Sequence, residues 1–81
     1  MAREEITMND VMYLYKGKNI TTLILTKIEH VVGLLAEKEG LPFDECYPRF
    51  ISSRTYQNLI DTDTLLWGES AEFILDDYLR E

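Results

Sequence analysis

Residues 22–39 constrain the chain most, because they carry a helical period that is too apolar for a helix lying free on a surface. Thr26, Glu29, His30, Gly33 and Glu37 recur as one polar stripe, while Leu23, Ile24, Leu25, Ile28, Val31, Val32 and Leu35 occupy most of the remaining circumference. So wide an apolar arc has to be covered by more than one neighbour, which places this segment at the centre of the fold. Gly40 follows where a helix end tolerates left-handed backbone, and Leu41-Pro42 stops propagation.

Shorter helices are expected after it. Pro42-Phe43-Asp44-Glu45 opens one, with proline near the first position and acids facing the positive end of the helix dipole. Pro48 removes an intrahelical hydrogen bond and clashes one turn back, at about 3 kcal/mol in a regular helix, which predicts a kink or restart near Tyr47. Ser52 and Ser53 offer a fresh cap for a short helix whose apolar face is Tyr56, Leu59 and Ile60, and Asp61–Thr64 is a turn. The closing helix spans 70–81: Ser70 caps it, Ala71, Ile74, Leu75, Tyr78 and Leu79 face inward, and Glu72, Asp76 and Asp77 lie mainly outside.

Residues 1–20, an N-terminal extension of the core pattern, read two ways. Met8, Val11, Met12 and Tyr15 share a helical face, and this is the preferred reading. The segment also reads as strand, turn and strand, with Val11–Tyr15, Lys16–Asn19 and Ile20–Leu25 in those roles. The expected fold is therefore all-α, a compact bundle of four to five short helices around a long central helix. The alternative is α+β with an N-terminal β-hairpin.

Eighty-one residues make a single domain, 1–81, with a thin stability margin. Cys46 is the only cysteine, so no internal disulfide can staple it, and no Cys/His cluster offers a structural zinc. Homodimerisation is the remaining route to extra burial. No apolar run approaches the ~20 residues needed to cross a bilayer, and the first residues lack an apolar signal core, so a cytoplasmic protein is expected.

The charge is lopsided. From Asp61 onward seven acids (Asp61, Asp63, Glu69, Glu72, Asp76, Asp77, Glu81) face one base, Arg80, and carry −6 of the formal −7. A net charge of that sign, with a sequence pI near 4.5, disfavours nucleic acid and anionic membranes as partners. Asp76, Asp77 and Glu81 sit near the C-terminal end of their helix, where the dipole does not favour them, and this points to a partner with a basic surface.

Few residues suggest chemistry. Asp61, Asp63, Glu69 and Glu72 fall on positions 1, 3, 9 and 12 of a calcium-loop spacing, but Leu65 and Leu66 stand where an oxygen ligand and a glycine are required. Cap and turn roles account for the same residues. Cys46 and His30 are the only candidates for a thiolate and its base, and a small apolar cysteine with a solvated histidine is the simpler reading. No enzymatic activity, metal or cofactor is expected. Trp67, with Tyr56 and Arg54, has the composition of a binding anchor, while a core role for the indole competes with that reading.

Phe50, Ser53, Tyr56, Leu59, Asp61, Thr64, Leu66, Trp67, Glu69, Ser70, Phe73 and Ile74, taken in order, form a phrase that resembles a family of short, uncharacterised, mostly helical bacterial proteins, a domain of unknown function. The resemblance covers Leu23 to Glu81. It implies accessory proteins of small gene clusters, some similar to toxin–antitoxin modules, with no enzymatic role. Two departures stand out: the family pattern has glycine where this chain has Leu65, and residues 1–20 extend beyond it.

These readings converge on a small acidic protein-interaction module, antitoxin-like or immunity-like, that binds a protein partner through its acidic C-terminal helix. The interaction residues expected are Trp67, Tyr56, Arg54, Asp76, Asp77 and Glu81. The alternative is a dimeric DNA-binding regulator. It would use either a helix-turn-helix between Leu35 and Phe50 or a ribbon-helix-helix with residues 6–14 as the ribbon.

Overall fold

The structure is a computed structural model and describes residues 12–81. A two-stranded hairpin, β1 (Leu14–Tyr15) and β2 (Lys18–Asn19), leads into four helices: α1 (Thr21–Glu39), α2 (Phe43–Ile51), α3 (Arg54–Ile60) and α4 (Ala71–Leu79). Two single 3-10 turns, Thr62–Thr64 and Leu66–Gly68, join α3 to α4. The protein is thus mostly helical with a small antiparallel hairpin, and residues 14–19 do not continue the helix preferred from sequence. Met8 and Val11, on which that reading drew, lie outside the described residues.

Local chemistry explains the hairpin. Lys16 and Gly17 both take positive φ, 49° and 81°, between the paired residues Tyr15 and Lys18. Positive φ at both central positions is the two-residue turn whose twist matches the strands it joins. The second strand is short, because Asn19 turns the chain into α1 by accepting the Thr21 amide on Oδ1 at 3.0 Å. The Thr21 hydroxyl then accepts the Tyr13 amide at 2.7 Å. Residues 21–25, the remainder of the expected strand, are helical.

One face of α1 is buried through Ile24, Ile28, Val31, Val32 and Leu35, and it packs on α4 and α2. Leu23 and Leu25 remain exposed, so the buried arc is narrower than the sequence pattern suggests. The helix ends as expected: Gly40 has φ 68°, and its amide and that of Leu41 both donate to the Ala36 carbonyl, at 2.9 and 3.1 Å.

α2 runs without a break through Pro48, so the helix does not restart near Tyr47, one of the two outcomes expected there. The carbonyl deprived of its donor is that of Asp44, in the first turn, and Asp44 and Pro48 are both exposed. Water can satisfy that carbonyl, so the proline is tolerated. Cys46 and Phe50 point into the core from α2. Phe50 stands edge-on to Tyr56 of α3 and Tyr78 of α4, with centroids 6.0 and 5.6 Å away, and so joins three helices.

Ser53 links α2 to α3 as its sequence position suggests: its hydroxyl donates to the Phe50 carbonyl at 2.6 Å and accepts the Tyr56 amide at 3.0 Å. After α3, Asp61 accepts the Asp63 amide on Oδ1, and Leu65 takes left-handed backbone at φ 62° between the two 3-10 turns. Glycine is the residue that reaches such φ without strain, so a leucine here holds a costly backbone conformation. Ser70 caps α4 by accepting the Phe73 amide at 3.1 Å. Lys27 of α1 ties down the segment before it by donating to the Glu69 carbonyl at 2.8 Å.

Candidate functional site

The three acids at the end of the chain have separate structural roles. Arg80 follows α4, and its guanidinium meets Asp76 Oδ2 at 2.9 Å and Asp77 Oδ1 at 3.4 Å. Asp76 and Arg80 are each 64% exposed in their side chains, so this pair contributes little to stability. Glu81 is differently placed. Its carboxylate reaches across to α3 and accepts the Arg54 amide at 3.2 Å and the Thr55 amide at 2.7 Å.

That contact completes the N-terminus of α3. The amides of Arg54, Thr55 and Tyr56 precede the first intrahelical bond, which Gln57 makes to the Ser53 carbonyl. Ser53 takes the Tyr56 amide and Glu81 the other two, so none of the three is left without an acceptor. The Thr55 hydroxyl is the main influence holding the Glu81 carboxyl below its ordinary range. The Thr55 and Arg54 amides and the Arg54 charge add to it, against the opposing effect of burial. From sequence, Glu81 groups with Asp76 and Asp77; in the fold it serves as a cap for another helix.

Tyr56 and Arg54 sit beside this junction on α3. Burial, and then the neighbouring Tyr13 phenol, raise the Tyr56 phenol above its ordinary range. Trp67 lies elsewhere. It is half-buried against the edge of the core, its ring meets Tyr15 edge-on at 5.2 Å, and its indole N–H donates to the Thr62 carbonyl at 2.8 Å. The Thr62 hydroxyl in turn donates to the Leu14 carbonyl at 2.7 Å. Trp67 therefore fastens the hairpin to the 3-10 turns and packs against the edge of the core.

The remaining exposed acids of α4 border a groove that sequence reasoning missed. Leu34, Leu75 and Leu79 form its floor, in the seam between α1 and α4. Glu37, Glu72 and Asp76 line it with one base, Lys38, and its volume is about 390 Å³. The signal is present in sequence only as helical spacing: 34, 37 and 38 share one face of α1, and 72, 75, 76 and 79 one face of α4. Nothing local says that the two faces meet.

A second, more apolar groove lies between α1 and α2, lined by Leu25, Ile28, Phe43 and Tyr47 with one acid, Glu29. Phe43 and Tyr47 stack at 6.0 Å and are both exposed.

The other candidates are scattered. Cys46 is fully buried in the core and His30 is on the exposed side of α1. Among the described residues, no three His, Cys, Asp or Glu side chains are grouped to hold a metal ion, and no helix is long and apolar enough to cross a membrane. Leu14 pairs with Asn19 of its own hairpin, and the first turn of α2 carries Asp44 and Glu45. Most of the proposed ribbon, residues 6–11, lies outside the described residues. Searches against protein-family models, curated proteins and solved structures gave no match.

Proposed function

We propose that the protein is a small acidic interaction module that binds a protein partner of basic surface through the exposed face of α4, the kind of role an antitoxin-like or immunity-like protein fills. The observation that supports this reading is the groove-side edge of α4: Glu72 and Asp76 are exposed beside exposed or half-buried leucines, and neither acid is buried in a structural network. Opposite potential on a partner would speed encounter and exclude anionic competitors. Glu81 leaves the binding set, because it is committed to α3.

The test is the association rate of a partner captured from the native cell, measured on an immobilised surface against wild type and a Glu72→Lys/Asp76→Lys variant. Association is expected to slow about tenfold at low salt, and the difference should shrink as salt is raised. An unchanged rate would remove the reading. Self-association forms part of the same proposal and is supported by the exposed Leu25, Phe43 and Tyr47 patch. Light scattering should then show a dimer that Phe43→Ser dissociates, and a strict monomer at micromolar concentration would rule it out.

A further inference from the structure

We propose that the groove between α1 and α4 receives one face of a basic amphipathic helix belonging to the partner, with apolar side chains on the leucine floor and lysine or arginine against the acidic walls. This inference rests on the reading of α4 as the docking face and specifies what docks there.

Shape and charge select the occupant together. The groove-lining residues of α4 run from Glu72 to Leu79, about 10 Å at 1.5 Å per residue, which matches two turns of an incoming helix. Leu34, Leu75 and Leu79 give that helix an apolar seat for residues spaced i, i+4 and i+7, the usual anchors of helix-in-groove recognition. An extended peptide is a poorer occupant. The described strands are confined to the hairpin, so no sheet edge beside the groove could pair with its backbone.

Electrostatics decides the sign. Three acids against one lysine line the groove, and Lys38 and Glu37 lie in the last turn of α1, where the dipole end adds negative potential. A second copy of this chain, itself at −7, is repelled by that surface, and so is an anionic headgroup or a phosphate backbone. The Asp76–Arg80 pair is no obstacle, since an exposed pair of this kind exchanges readily for an incoming cation.

The probe is a fluorescein-labelled 14-residue Leu/Lys amphipathic helix, with a scrambled peptide of identical composition as control, titrated by anisotropy against the full chain. Binding in the micromolar range is expected at 50 mM salt, at least fivefold tighter than the scrambled peptide. Glu37→Lys and Glu72→Lys should each weaken it about five- to tenfold, and Leu79→Gln about fivefold. Asp63→Lys, an equal charge change outside the groove, should alter it less than twofold. Leu79 is 41% exposed, so its variant should keep the wild-type melting curve; Leu34→Gln provides a second floor variant.

If both floor variants bind like wild type while the charge reversals still weaken binding, the groove inference falls and the acidic docking face stands. If Asp63→Lys weakens binding as much as Glu72→Lys, the attraction is unspecific and both fall. If the helical peptide binds no better than the scrambled one, a helix is not the occupant and this inference alone is overturned.

Discussion

Glu81 offers the sharpest test of how the end of the chain is built. Replacing it by alanine removes the acceptor of two α3 amides and of the Thr55 hydroxyl, which as a rotatable donor can find another acceptor. The Arg54 amide belongs to an exposed residue at 3.2 Å and returns to water at little cost. The Thr55 amide makes the shorter bond, 2.7 Å, within a residue only 3% exposed, so about 1 kcal/mol is lost there. Removing a carboxylate from a helix N-terminus adds about 0.3–0.5 kcal/mol at an exposed site.

The expected destabilisation is about 1–1.5 kcal/mol, or roughly 5–10 °C in Tm for a domain of this size. Thermal melts followed by circular dichroism would measure it. Glu81→Gln keeps one acceptor oxygen and should lose about half as much, while Asp77→Asn, which removes only an exposed ion pair, should shift Tm by no more than about 2 °C. The pH dependence has a definite sign. The folded carboxyl stays charged to lower pH than its ordinary 4.5, so its contribution is complete above that value and drains away as pH falls through the depressed folded value. A wild-type-like Tm for Glu81→Ala at pH 7, or a gap between the two proteins that persists undiminished at pH 2, would refute the cap.

Three further outcomes are expected. Leu65→Gly should raise stability by about 0.5–1 kcal/mol in urea melts, because relief of the left-handed backbone (about 1–2 kcal/mol) exceeds the added freedom of the unfolded chain. Tyr56 titrates at higher pH folded than unfolded, so wild-type stability should decline as pH rises from 10 toward the folded value, and Tyr56→Phe should reduce that decline; an identical decline in both would show that Tyr56 is not its source. Cys46 is completely buried, so a thiol reagent at neutral pH should label the native protein at least a hundredfold more slowly than the urea-unfolded chain, a ratio set by how rarely the core opens.

The parts legible in sequence are those whose partners lie within one helical turn. The end of α1 at Gly40, the double role of Ser53 and the Ser70 cap each depend on a side chain or backbone preference acting over at most four residues, so residue type and spacing determine them. The same locality fixed the helical period of α1 and α4 and the mostly helical character of the chain.

Tertiary structure decided the rest, because the deciding contacts span distant residues. Residues 14–19 have both helical and strand patterns; the hairpin is held by Thr62 on Leu14 and Trp67 on Tyr15, groups some fifty residues away. Pro48 is tolerated because solvent reaches the carbonyl it orphans, and exposure is a property of the folded surface. The acids at the chain end show this most directly. Sequence alone groups Asp76, Asp77 and Glu81 as charges that the dipole does not favour. Only the packing of α4 against α3 brings Glu81 to the open amides of another helix, and only the packing of α4 against α1 sets Glu72 and Asp76 over a leucine floor.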